Sequence, residues 1–199
     1  MTSNCVQSFV LEHLNEASLL TQEILRDSEL QGTICKVANI CANVLLLKGK
    51  ILLAGNGGSA ADAQHIAGEL VSRFMVDRPG LAAIALTTDT SVITAIGNDY
   101  GFDHLFARQI EALGNPGDIF IAYSTSGNSE NIINGLKVAR SLGLVSVGLT
   151  GNRKGLMCSM CDHLLEVPSS STPRIQEGHL LLGHTLCALI ENELFPLAD

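Results

Sequence analysis

His65 and Glu69 stand four residues apart in AGNGGSAADAQHIAGEL, residues 54–70, directly after a glycine-rich run. On a helix that spacing puts an imidazole and a carboxylate on one face, about a turn apart. Such a pair can share a divalent ion, or let the carboxylate act as a base beside the imidazole. The competing reading is a solvated surface contact, so the neighbouring residues must decide. Asp62, Gln64 and Arg73 are expected on the same helix, with Arg73 another turn beyond Glu69, able to neutralise a substrate phosphate or to pair with an acid.

Gly55, Gly57 and Ala60 fit a relaxed G-x-G-x-x-[GA] pattern after an apolar run. Glycines there permit a tight turn, and the following helix offers its N–H groups and positive end to an anion. A dinucleotide would also need an acid shortly after the second strand. The first one is Asp89, about ten residues later than the usual ribose-binding position. The loop STSGNSEN, Ser124–Asn131, offers another arrangement, with Ser124, Thr125, Ser126 and Ser129 clustered around a glycine ahead of a helix. Hydroxyls and helix-start amides can together wrap a phosphate monoester without a lysine. Ser129 could instead be a plain N-cap. Taken with GNGGS on a neighbouring strand end, a phosphosugar site is the better reading. Downstream, TPRIQEGHLLLGH supplies Gln176, His179 and His184. Eight helical residues rise about 12 Å, so Gln176 and His184 share one ion only if Gln176 precedes the helix or sits at a distorted start. His179 competes with His184, and spacing does not choose between them.

These residues need a scaffold that brings loops together. Short apolar runs KILLAG, LAAIAL, DIFIAY, VSVGLT and HLLEV alternate with helix-like segments at 59–75, 103–113, 129–142 and 174–194. The expected class is α/β, a parallel sheet with helices on both faces. Ligands then bind beyond the carboxyl ends of the strands, where GNGGS, TTDTS, STSGNS and TGNRK fall. Two helices are expected first, Val6–Leu25 and Thr33–Lys48, the second ended by Gly49. Preceding any strand, they must cover the sheet or meet another subunit.

The chain has 199 residues, 46% of them hydrophobic, which suits one domain: a helical pair over 1–49 and an α/β core over 50–199. Its net charge of −8 argues against general nucleic-acid or anionic-membrane binding. No basic signal-like start and no uninterrupted spanning stretch are present, so a soluble cytoplasmic protein is expected. The six cysteines have no framework spacing, and Cys158 and Cys161 form a lone CxxC, weak evidence for zinc or redox work.

GNGGSAADAQHIAGEL, TTDTSVITAIGNDYGFDHLFARQIEALG, STSGNSENI and TPRIQEGHLLLGH, in this order, resemble the phosphoheptose isomerase family of sugar isomerase (SIS) domain enzymes. The resemblance runs from about Lys50 to Phe195, with the first 49 residues alike only in helical character. It implies a homotetramer of five-stranded parallel subunits with sites at subunit interfaces. The reaction implied is ketose to aldose isomerisation, from sedoheptulose 7-phosphate to a D-glycero-D-manno-heptose 7-phosphate. Substrate contacts would fall on Asn56, Gly57, Gly58, Ser59, Glu69, Arg73, Asn98, Asp99, Ser124, Thr125, Ser126, Ser129 and Gln176. One zinc ion per subunit would be held by His65, Glu69, Gln176 and His184, and Glu69 and His184 would carry the acid/base chemistry. A carboxylate bound tightly to zinc is a poorer base, so a structural or accessory metal stays open. Two similar families are non-catalytic: a replication-initiator-associating binding protein lacking the acid/base pair, and sugar-phosphate-sensing regulators with a DNA-binding segment. Glu69 and His184 favour the enzyme.

Overall fold

Alternation along the strands divides the core into two faces. In the computed structural model, which describes residues 3–153 and 155–196, β1 (Ile51–Ala54) sends Ile51 and Leu53 to one face and Leu52 and Ala54 to the other. β3 (Ile119–Tyr123) does the same, with Ile119, Ile121 and Tyr123 opposite Phe120 and Ala122. With β2 (Ala83–Ala85), β4 (Val145–Gly151) and β5 (His163–Val167) they form a wholly parallel sheet of order β2-β1-β3-β4-β5. The expected five-stranded α/β class is the observed one.

The first face is covered by α1 (Ser3–Arg26), α2 (Ser28–Leu46), α3 (Gly58–Val71) and α7 (Thr172–Leu194). The second carries α4 (Thr90–Asp99), α5 (Leu105–Leu113) and α6 (Glu130–Ser141). Asp118, buried just before β3, accepts from the Lys50 and Asn115 amides and from the Lys50 ammonium, tying the entry ends of β1 and β3.

Several boundaries differ from expectation. α2 starts five residues early because Asp27 caps it, accepting from the Leu30 amide at 2.9 Å. It ends at Leu46, and the left-handed residue is Lys48, at φ 65°, rather than Gly49. α4 was not anticipated: β-branched Thr90, Val92, Ile93 and Thr94 weaken its helical signature. Asp89, whose carboxylate accepts from the Val92 amide at 3.0 Å, starts it. α3 stops at Val71, so Arg73 is not on that helix. Its last turn is finished by Arg78, which donates to the carbonyls of Leu70 at 2.8 Å and Glu69 at 2.9 Å.

Candidate functional site

β1 and β3 are neighbours, with Ala54 level with Ala122, while the next strands lie on opposite sides of the pair. This is the topological switch point, where the loops leave in opposite directions and a crevice opens beyond the strand ends. The two loops expected to hold phosphate leave these two strands. Gly57 turns the first at φ 56°, a left-handed value that favours glycine, and α3 begins at the next residue. Asn56 and Asn131 exchange reciprocal amide hydrogen bonds of 2.9 Å, which lock the first loop to the start of α6.

Ser129 sits at the N-cap position of α6, yet its side chain makes no capping bond. Its hydroxyl instead meets that of buried Ser124 at 2.8 Å. The plain N-cap reading therefore fails. Ser126 accepts from the Asn128 amide at 3.2 Å, Thr125 is half-buried, and Ser59 is buried in the first turn of α3. Two helix starts and a hydroxyl cluster thus converge on one crevice, an arrangement suited to an anion. The fourth expected loop, TGNRK, includes Lys154, which lies outside the described residues.

α3 and α7 pack side by side on the first face, and between them three chemistry-bearing side chains meet. The Nε2 atoms of His65 and His184 are 2.8 Å apart, and His65 Nε2 is 3.4 Å from Glu69 Oε1. One donor atom from each of the three lies within 4.8 Å of the others. The Phe74 ring is 5.5 Å from that of His184. His179, the competitor, is fully buried against Tyr123, 5.8 Å ring to ring, and burial pushes its pKa down to about 4. It is a core residue.

Gln176 lies inside the regular part of α7, in its second turn, rather than ahead of it. Its amide is pressed against Gly58, where a Cβ would come within 2.5 Å of Nε2, so Gly58 is the opening through which Gln176 reaches the phosphate-loop end of α3. Asn98 and Asp99 bond to each other at 2.7 Å at the exposed end of α4, and Arg73 is exposed after α3. Spacing gave no weight to Asp62, which is half-buried in α3 with Oδ2 unpartnered among the described residues. Burial raises its pKa to about 6, against the lowering influence of His65. Asn131 and Phe74 were also unforeseen as site residues. The only available signal for Asn131 was its place at the end of STSGNSEN.

Two imidazoles and a carboxylate are the donor set of a borderline cation such as zinc. The close approach of two imidazole nitrogens also fits: without a cation one must donate to the other, whereas a shared ion takes a lone pair from each. The CxxC pair presents a poorer case, since Cys161 is half-buried and burial, with Asp162 and Cys158 nearby, pushes its thiol up to about 12.

Residues 13–151 match the family model described as SIS domain. A phosphoheptose isomerase of Burkholderia pseudomallei is 57% identical over 188 residues, 94% of this chain and 95% of the relative. The chain belongs to the phosphoheptose isomerase family. It is accordingly a sugar-phosphate isomerase. Solved phosphoheptose isomerases superimpose closely. That of Neisseria gonorrhoeae has a TM-score of 0.88 at 45% identity, covering 94% of this chain and 99% of its own. That of Francisella tularensis has 0.90 at 38%, covering 96% and 100%. The family likeness also extends further than the motifs implied: an alignment of 188 of the 199 residues takes in most of the N-terminal helical pair.

Proposed function

We propose that the chain converts sedoheptulose 7-phosphate into a D-glycero-D-manno-heptose 7-phosphate, the first step of bacterial heptose synthesis. The observation that carries this reading is the convergence of Glu69 and His184, from helices far apart in sequence, beside a hydroxyl-lined crevice at the switch point. Moving a carbonyl from C2 to C1 requires removal of a C1 proton, its return at C2, and stabilisation of the enediolate between. Glu69 carries the carbon-bound proton. His184 exchanges protons with the sugar oxygens and assists ring opening.

Ser124, Thr125, Ser126, Ser129, the hydroxyl of Ser59 and the amides of Gly57 and Gly58 take the phosphate, while Asn56 and Gln176 orient the sugar. Arg73, Asn98 and Asp99 complete the substrate contacts. A zinc ion would be held by His65, Glu69, Gln176 and His184. When bound, it would polarise the oxygens at the reacting end of the sugar. The exposed apolar residues Val6, Phe9, Val10 and Leu14 on α1 support a homotetramer with α1 and α2 at its interface. No helix of the described residues is long and apolar enough to cross a membrane, and we assign the reaction to the cytoplasm, with neither nucleic acid nor membrane as partner. Incubation with sedoheptulose 7-phosphate, followed by NMR, should show the aldose anomeric signals grow. Absence of turnover by the zinc-loaded wild-type protein overturns the substrate assignment.

A further inference from the structure

Segment 72–80, between α3 and β2, has no helix or strand of its own. It is nevertheless fixed by one buried carboxylate. Glu191, on α7 two turns beyond His184, accepts from the amides of Phe74 at 3.0 Å, Met75 at 2.8 Å and Val76, and from Arg78 Nε at 3.1 Å. Both side chains of the ion pair are almost wholly buried. Burial works against ionisation of Glu191, but the three amides and Arg78 outweigh it and hold its carboxyl below the usual range. Arg78 in turn bonds the last-turn carbonyls of α3, Glu69 among them. One pair thus joins α7, the segment and the end of α3. The first residue it grips, Phe74, lays its ring on His184.

We propose that Glu191 and Arg78 are positioning residues for the reaction: the strap they close sets the separation of α3 and α7 and seats Phe74 against His184. The inference rests on the acid/base reading of Glu69 and His184. A connector that only needed to be folded would not require a buried charge; hydrogen-bonded burial of an ion pair gains little stability over an apolar filling. What the pair supplies is fixed geometry, because every acceptor site of Glu191 is assigned to a named donor.

Glu191→Gln keeps the shape but replaces an acceptor oxygen with a donor that conflicts with the amides. The test compares Glu191→Gln and Phe74→Leu with Ile110→Ala, a buried α5 substitution on the other face of the sheet, as the control for lost thermal stability. The expected result is a fall in kcat of about tenfold to hundredfold in both strap variants, with KM within about threefold. The double variant should lose no more than the worse single one. Independently of turnover, the His184 Cε1–Hε1 NMR resonance should move in both, because the ring current of Phe74 changes, and stay put in Ile110→Ala. If Glu191→Gln does not fold, Phe74→Leu and Arg78→Lys carry the same readouts. A His184 resonance and kcat that follow only thermal stability overturn the proposal. Retained activity in His184→Ala would instead overturn the acid/base reading, and leaves the resonance to decide the strap.

Discussion

The crevice has two walls of different construction. The phosphate-loop wall is made from two contiguous segments, 54–59 and 124–131, whose key partners are backbone turns, a serine pair and an asparagine pair. The α3/α7 wall brings His65 against His184 across 119 residues of sequence, and two connectors hold it: the Glu191 strap and the packing of Gln176 on Gly58. In the proposed reading the first wall would recognise charge through groups any helix start can offer. The second needs particular side chains at particular distances. Substitutions on the two walls should therefore fail differently, binding on one side and turnover on the other.

The strongest test lies on the second wall. Glu69→Gln retains size and hydrogen bonding but cannot accept the carbon-bound proton. We expect kcat to fall by about a thousandfold, with KM little changed, in steady-state assays of sedoheptulose 7-phosphate isomerisation. Undiminished kcat would strip the α3/α7 wall of its acid/base role. On the first wall, Ser124→Ala removes a hydroxyl that pairs with Ser129. A loss of one hydrogen bond to phosphate corresponds to about a tenfold rise in KM with kcat nearly unchanged. A kcat effect without a KM effect would erase the distinction between the walls.

The difference in construction also explains what was legible. Strand positions followed from apolar runs bounded by glycine and polar residues, and β5 matches HLLEV residue for residue. Both loops proposed to hold phosphate had a readable backbone because each is local: glycine and serine act within a few residues of themselves. His65 and Glu69 were readable as an i, i+4 pair for the same reason. Nothing local, however, distinguished His184 from His179. The choice is made by which face of α7 turns toward α3 and which toward the sheet. Arg78 and Glu191 were invisible for that reason too, since their value comes from meeting across two elements. Arg73 was misplaced because the helical pattern continues past the point where Arg78 takes the last carbonyls of α3.

His179 sharpens the contrast between site and core histidines on α7 itself. Its imidazole is held neutral by burial, with a folded pKa of about 4 against 6.5 in the unfolded chain. The unfolded chain therefore binds the extra proton first. Stability is complete above about pH 6.5 and lost as pH falls toward 4, a contribution of about 3 kcal/mol. Asp62, raised from 3.8 to about 6, acts with the opposite sign from about pH 6 downward through the rest of that window, because its folded form takes up the proton more readily. Thermal unfolding at pH 8 and pH 5 should give a Tm difference that shrinks in His179→Leu. An unchanged difference would mean that His179 takes up its proton equally readily in the folded and unfolded chains.

The smallest effect is expected at the other set of residues able to bind a metal. Cys158 lies within a short 3₁₀ turn and Cys161 just after it, with one thiol exposed and the other half-buried. Thiolates are the ligand form, and a thiol pushed up to about 12 surrenders its proton reluctantly. The α3/α7 trio needs no such deprotonation of a buried thiol: neutral imidazoles offer lone pairs directly. Hence Cys158→Ser and Cys161→Ser should keep activity within about twofold and retain zinc stoichiometry by elemental analysis, while His65→Ala loses it. The reverse pattern would move the metal to the far side of the sheet, where Met157 packs. The α3/α7 wall would then have to perform its proton transfers with Glu69 free of any cation, which would remove the competition between ligation and basicity at that carboxylate.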